Sequence, residues 1–291
     1  MLFLHNILNS IWAIEPAYAA NYLPILDAYL KGEQLHAQTI PKNEDITIRN
    51  GIQTAVIQSG TYVISEWGQA RKPEDAPENS IAIVYITDAI TKHDQWCGPA
   101  GMITKSDILN RCYANDNIKS VILVIESGGG EGMAMRMMNE TLAKRNKPVG
   151  AFIDDFACSA AYGIASACDI VVANSPMARV GSIGTFITIA DYTERYKQLG
   201  INLIDVYASA STDKNSEYIE AIKGNPAQLK KIANTFNDYF LSMIETNRTG
   251  KLSSGREVWG TGKVWFAEEA KQLGIIDGID TLENFINYFN V

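Results

Sequence analysis

The sequence predicts an α/β protein whose sheet is parallel and covered by helices. Two observations carry the prediction. Apolar runs of strand length, without polar alternation, recur at 81–86, 120–125, 149–153 and 170–173, and runs of that kind belong to strands buried on both faces. Segments of helical period separate them, and parallel strands need such crossovers.

At 291 residues the chain can bury a full core and reads as one main domain, 76–291, preceded by an N-terminal helical and mixed appendage, 1–75. In the appendage, residues 1 to about 35 carry Trp12, Ile14, Tyr22, Leu23, Ile25, Leu26, Tyr29 and Leu30 on a roughly helical period, which Pro16 and Pro24 break into short pieces. β-like runs follow at 45–49 and 54–58. The stretch 71–80 is polar, charged and proline-bearing, and marks the boundary.

The main domain then alternates. A strand is predicted at 81–86, a helix at 104–114, a strand at 120–125, a helix at 136–145, a strand at 149–153, a helix of small residues at 160–168 and a strand at 170–173. A helix at 191–199 leads to a further buried strand at 201–206. The longest helix spans 226–248, with Leu229, Ile232, Phe236, Phe240 and Ile244 on one apolar stripe, which is read as packing against the sheet or a neighbouring subunit. Helices at 268–273, stopped by Gly274, and at 282–289 close the chain.

Composition narrows the partners. A formal net charge of −8 argues against duplex nucleic acid or an anionic membrane surface, either of which selects a basic face. Cys97, Cys112, Cys158 and Cys168 form no C-x-x-C pair and no zinc-spaced cluster with histidine, so reduced thiols in a cytosol-like compartment are expected and no metal. The first 19 residues carry no positive charge, and His5, Asn6, Asn9 and Ser10 interrupt their apolar run, so a secretory signal is not expected. No uninterrupted apolar stretch has the length of a membrane span. A cytoplasmic protein acting on a protein or small-molecule substrate is the expectation.

The chemistry concentrates at Phe156-Ala157-Cys158-Ser159-Ala160-Ala161-Tyr162-Gly163, where a strand gives way to a helix. A hydroxyl at Ser159 would sit at a helix N-terminus, among N–H groups able to hold an oxyanion. The simpler alternative is that Ser159 only caps the helix. A second feature is Glu126-Ser127-Gly128-Gly129-Gly130, directly after the strand at 120–125. Glycines there let the backbone approach a ligand. No Gly-Lys-Ser/Thr follows, so it is not a phosphate loop of the Walker type. Both features fall at the carboxyl ends of parallel strands, where open α/β sheets place their sites. A serine nucleophile needs a base, yet His5, His36 and His93 all lie upstream, two of them in the appendage. A lysine kept neutral by desolvation is the natural substitute. Lys214, in the small polar loop 208–216 after the strand at 201–206, is the candidate, although a solvated lysine is the commoner state.

Together these residues resemble the serine–lysine peptidases of the signal peptide peptidase A type, which share a fold with the Clp protease proteolytic subunit and the crotonases. The resemblance covers about 81–280. VILVIESGGG (121–130) resembles the family's strand and Ser-Pro-Gly-Gly turn, and CSAAY (158–162) its nucleophile motif. Gly181-Ser182-Ile183-Gly184 resembles the element that follows, and GKVWFAEEAKQLGIID (262–277) the closing stretch. The resemblance implies a Clp/crotonase-like fold, with Ser159 as nucleophile, Lys214 as general base, Gly129 and Ala160 as oxyanion N–H donors, and Ser182 orienting the lysine. Gly128 replaces the family's proline, which leaves the oxyanion glycine open by one residue.

The resemblance further implies a cofactor-free endopeptidase, a homo-oligomeric ring, and neither nucleic acid nor membrane as partner; hydrolysis is expected to rise with pH. The membrane anchor of the bacterial enzymes is not seen, and Ile11-Trp12-Ala13-Ile14-Glu15-Pro16 resembles the start of phage and prophage head proteases. That implies cleavage of scaffold or capsid precursors during head maturation, in the cytoplasm or inside a prohead. Two other readings stay open on the same fold: a crotonase-type acyl-CoA enzyme, and an assembly factor without activity.

Overall fold

The computed structural model describes residues 12–14, 31, 46–50, 53–56, 72–95 and 99–289. In chain order, β1 is Trp12–Ile14, β2 Ile46–Asn50, β3 Gln53–Val56 and β4 Ser80–Thr87. Helix α1 (Met102–Ala114) crosses to β5 (Ile118–Ser127), β6 (Gly129–Glu131) leads into α2 (Gly132–Leu142), and β7 (Val149–Cys158) leads into α3 (Ala160–Ala165). β8 (Ile170–Ala173), β9 (Arg179–Gly181), α4 (Thr193–Gln198), α5 (Ser216–Ile222) and α6 (Ala227–Asn247) follow. The chain closes with α7 (Arg256–Trp259), β10 (Val264–Phe266), α8 (Ala267–Gln272), β11 (Gly278–Ile279) and α9 (Leu282–Tyr288).

The unbroken apolar runs become the centre of the sheet. β4 pairs in parallel with β5, Ile81 opposite Ser120 through Thr87 opposite Glu126, and β5 pairs in parallel with β7 from Val121 opposite Val149. Because successive side chains point to opposite faces, each run feeds two cores. Val84, Leu123 and Ala151 face a layer made by α1, α2, α3 and the end of α6, while Ile83, Ile122 and Phe152 face Phe285 and Ile286 of α9. Each buried Ile or Leu contributes about 1.5–3 kcal/mol. This is the parallel α/β architecture that the apolar runs predict.

β7 is twice as long as its apolar run. Its first half pairs with β8, from Gly150 opposite Ile170, and its second half with β9, from Phe156 opposite Arg179 to Cys158 opposite Gly181. β10 lies antiparallel to β9, and β11 parallel to β8. Asp154 and Asp155 end the apolar pattern, so the extension that delivers Ser159 is set by strand pairing and not by local composition. On the other edge, the hairpin β2–β3 lies before residue 76 yet hydrogen-bonds antiparallel to β4.

Two expectations change. Residues 201–206 form no strand: they run as an exposed loop, with Leu203 67%, Ile204 83% and Val206 87% exposed, and among the described residues no strand pairs with them. Trp12–Ile14 is extended, not helical, and pairs antiparallel with β6; the rest of the predicted N-terminal helices lies outside the described residues. The long helix α6 is present, but its apolar stripe is covered only towards its end, at Phe240, Leu241 and Ile244. Beside the contact of the Phe236 ring with Gly132 of α2, the two helices flank a groove of about 1120 Å³ lined by Met133, Met135, Phe236 and Tyr239. Among the described residues no helix is long and apolar enough to cross a membrane.

One buried ion pair ties the end of α6 to the C-terminal part of the sheet. Arg248, wholly buried, donates from Nη1 to Asp277 Oδ2 at 2.8 Å, from Nη2 to Asp277 Oδ1 at 3.0 Å, and from Nε and Nη2 to the carbonyl of Gly274. Asp277 Oδ2 also accepts the Val171 N–H at 2.7 Å. Burial alone raises the Asp277 carboxyl, but Arg248, Lys251 and the Val171 amide together hold it below its ordinary value.

Candidate active site

Ser159 stands at the turn from β7 into α3 with φ 55° and ψ −121°, a backbone conformation that non-glycine residues adopt at a cost of about 1–3 kcal/mol. The turn is held from both sides. The Ser159 N–H donates to the carbonyl of Gly181 at 2.7 Å, and the Ser159 carbonyl accepts the N–H of Gly163 at 2.9 Å. Beneath it every residue of α3 is buried, and the helix lies close enough to α2 that a Cβ on Gly163 would come 2.2 Å from Met135 Sδ. The Ser159 hydroxyl makes no capping hydrogen bond. Its Oγ is buried and without any hydrogen-bond partner. The helix-cap alternative is thereby set aside, and a buried, strained, unpaired hydroxyl is what remains to be explained.

The glycine run closes one side of this serine. β5 and β7 are in register to Ser127 opposite Ala157, so Gly129 follows the strand end next to the one that carries Ser159. α3 packs on β6. Ser127 Oγ donates to the carbonyl of Asp88 and accepts the Gly129 N–H at 3.1 Å, which fixes the turn where Gly128 replaces proline. Gly129 has φ 105°. Ile90 then clasps the run, its N–H donating to the Gly129 carbonyl at 2.9 Å and its carbonyl accepting the Glu131 N–H at 2.8 Å. A Cβ on Gly130 would lie 2.0 Å from the Ile90 oxygen, so only glycine fits there.

On the other side β9 ends at Gly181, and Ser182, 6% exposed and at φ 50°, donates its N–H to the carbonyl of Lys263 at 2.8 Å. Ala160 is the first residue of α3, where backbone N–H groups lack intrahelical acceptors. Ser159, Gly129, Ala160 and Ser182 are therefore gathered at the carboxyl ends of three adjacent strands, β5, β7 and β9. Lys214 sits exposed in the turn before α5, its N–H bonded to the carbonyl of Ser211, and makes no hydrogen bond to Ser159. His93 is exposed.

The surroundings are acidic. Burial first, and then the carboxylates of Asp155, Asp154 and Asp88, push the Glu126 carboxyl up. Burial likewise raises Glu131, whose Oε2 accepts the Lys92 N–H at 3.0 Å and whose Oε1 has no partner. Among the described residues no group of His, Cys, Asp and Glu could hold a metal ion. Sequence reasoning passed over two residues. Ser127 fixes the glycine turn, and its place within ESGGG could have marked it. Lys105, wholly buried and donating to the carbonyl of Tyr85 at 2.6 Å, lies on the inward face of α1 with Met102, Leu109 and Cys112, a placement its helical spacing gives.

An unpaired serine hydroxyl at a strand-to-helix elbow, flanked by a glycine turn and a helix N-terminus, has the parts of a hydrolase that works through an acyl-enzyme. The chain belongs to peptidase family S49, whose model matches residues 141–290. Protease 4 of Haemophilus influenzae is 28% identical over 222 residues, covering 72% of this chain and 34% of that protein. The head–tail preconnector protein of Enterobacteria phage P21 is 28% identical over 161 residues, covering 53% of this chain and 31% of that protein. The chain thus spans about a third of the length of either relative. A mutant ClpP1 of Listeria monocytogenes superposes with a TM-score of 0.43 at 14% identity, over 69% of this chain and 92% of that one.

Proposed function

We propose that the protein is a serine endopeptidase in which Ser159 attacks a scissile peptide carbonyl while Lys214 takes its proton and passes it to the leaving amine as the C–N bond breaks, and water activated by the same lysine then releases the acyl group from Ser159. The observation that carries the reading is the Ser159 hydroxyl, held at positive φ without a partner beside Gly129 and the start of α3. An oxyanion formed on the attacked carbonyl would be held by the N–H groups of Ala160 and Gly129, the latter exchanging its bond to Ser127 Oγ for the substrate. Ser182 would orient the lysine. Each donor is worth about 3–4 kcal/mol to the transition state.

Lys214 must be brought in and desolvated for this chemistry, and its exposed position in the single chain says what has to happen first. The stretch leading to it exposes Leu199, Ile201, Leu203, Ile204 and Val206. Apolar surface of that extent is a protein-interaction surface. Assembly of copies covers it, orders the loop and carries the amine to the serine, which makes the protein a homo-oligomer active only when assembled. The likeness to a phage head–tail preconnector protein, together with the 11–16 motif, supports scaffold or capsid-precursor proteins as the natural substrates and a phage or prophage head as the setting.

The test is hydrolysis of an unstructured protein by the assembled, purified chain, with acylation by a serine-directed probe measured alongside. Ser159→Ala and Lys214→Ala should each lose hydrolysis by at least a thousandfold, and Ser159→Ala should lose labelling. Full hydrolysis by either variant would defeat the assignment. A parent protein that self-associates but neither hydrolyses nor labels would be an assembly factor on this fold.

A further inference from the structure

The register of β1 points to an occupant of the active-site edge. β1 lies antiparallel to β6 with Trp12 opposite Glu131, Ala13 opposite Gly130 and Ile14 opposite Gly129. The glycine run has two edges. On one, Ile90 uses the Gly129 carbonyl and the Glu131 N–H. Along an extended strand the hydrogen-bonding groups of successive residues point to alternate sides, so the N–H and carbonyl of Gly130 face the other edge, where Ala13 lies. Ala13 and Gly130 are therefore the hydrogen-bonded pair of this ladder.

We propose that Trp12–Ile14 occupies, within the same chain, the strand position that a substrate's main chain takes beside the serine. The inference rests on the role given to Gly129 above. If Gly129 donates to the oxyanion, a substrate's main chain lies along the free edge of β6 beside it, and in this chain Trp12–Ile14 lies on that edge. The segment lies antiparallel along β6, with Ile14 at its Gly129 end. The ligand class that follows is an extended peptide adding one antiparallel strand to β6, recognised through main-chain bonds. Three residues make a short ladder. Tethered to the chain, a short ladder still competes as though present at about millimolar concentration, enough to hold off weak substrates and to yield to an extended one.

The test uses the full chain with Ala13→Pro, which removes the N–H that Gly130 accepts while leaving β6 untouched. In a Ser159→Ala background, a fluorescent peptide with the sequence of residues 10–17 should bind the Ala13→Pro protein at least tenfold more tightly than the chain with Ala13, read by anisotropy. The same peptide N-methylated at its central alanine should lose that binding. With Ser159 intact, Ala13→Pro should lower the KM for an unstructured peptide by a similar factor and change kcat by less than twofold. Equal peptide affinities in the two proteins would overturn the inference. Independently of any variant, the Gly130 amide of the parent should be protected from hydrogen exchange, and unprotected exchange would also overturn it. Absence of all Ser159-dependent hydrolysis would defeat the peptidase reading, while the binding and exchange results would still decide whether the strand is occupied.

Discussion

Replacing Gly130 by alanine tests whether the glycine run is the working edge of the site. The added Cβ would lie 2.0 Å from the Ile90 oxygen, 2.6 Å from its nitrogen and 2.7 Å from its carbonyl carbon, all backbone atoms that no side-chain rotation can clear. A carbon needs about 3.5 Å from such atoms, so the two segments must part by roughly 1 Å or more. That separation breaks the bonds from Ile90 N–H to Gly129 and from Glu131 N–H to Ile90, now 2.9 and 2.8 Å. Two buried backbone bonds left unmade cost about 1–3 kcal/mol each, so Gly130→Ala should lose about 2–6 kcal/mol of stability. A shift of about 1 Å at Gly129 should also lower kcat about a hundredfold in whatever protein remains folded. Urea denaturation and peptide hydrolysis measured on the same preparation separate the two effects. Stability within 1 kcal/mol of the parent together with unchanged kcat would refute the reasoning, because it would mean that Ile90 does not clasp the run.

Other outcomes follow from the same geometry. Ser159→Ala should raise the unfolding free energy by about 1 kcal/mol in urea while abolishing hydrolysis, since it removes a buried hydroxyl that has no partner; a loss of stability would mean that the Oγ is bonded. Arg248→Ala should cost about 3 kcal/mol, the low end for breaking a buried pair, because Lys251 still reaches Asp277 Oδ1 at 3.0 Å. The Asp277 carboxyl is held low in the folded chain, so its contribution is present above its unfolded value near pH 4 and is lost as pH falls through the folded one. Asp277→Asn should flatten the acid limb of the stability profile, and an unchanged limb would assign it to other groups. Ile204→Asp with Val206→Asp, at positions 83% and 87% exposed, should leave the melting temperature of the single chain unmoved but abolish self-association in sedimentation and hydrolysis with it; retained assembly would exclude this stretch as the interface.

How much could be read in advance follows from how local each signal is. β4, β5 and β8 were legible because unbroken runs of Ile, Val and Leu have few alternatives to a doubly covered strand. The strand-to-helix turn at Ser159 and the glycine turn after β5 were legible because each is written in a few consecutive residues. The reach of β7 past Asp154 was not, since its stability comes from Arg179–Gly181, more than twenty residues away. The stretch 201–206 misled for the opposite reason: its apolar composition reads as a buried strand, yet Leu203, Ile204 and Val206 are exposed in a loop.

The sequence by itself therefore determined the parallel sheet and the turns at Ser159 and at the glycine run, because composition and short-range pattern encode burial and turn geometry. Only the tertiary structure decided that the serine hydroxyl stands unpaired and is no helix cap, that Ile90 and Ser127 fix the glycine run, that β1 lies along β6, and that Lys214 is exposed and makes no hydrogen bond to the serine. Those are matters of pairing between residues distant in sequence, and no local pattern specifies a partner that arrives from elsewhere in the fold.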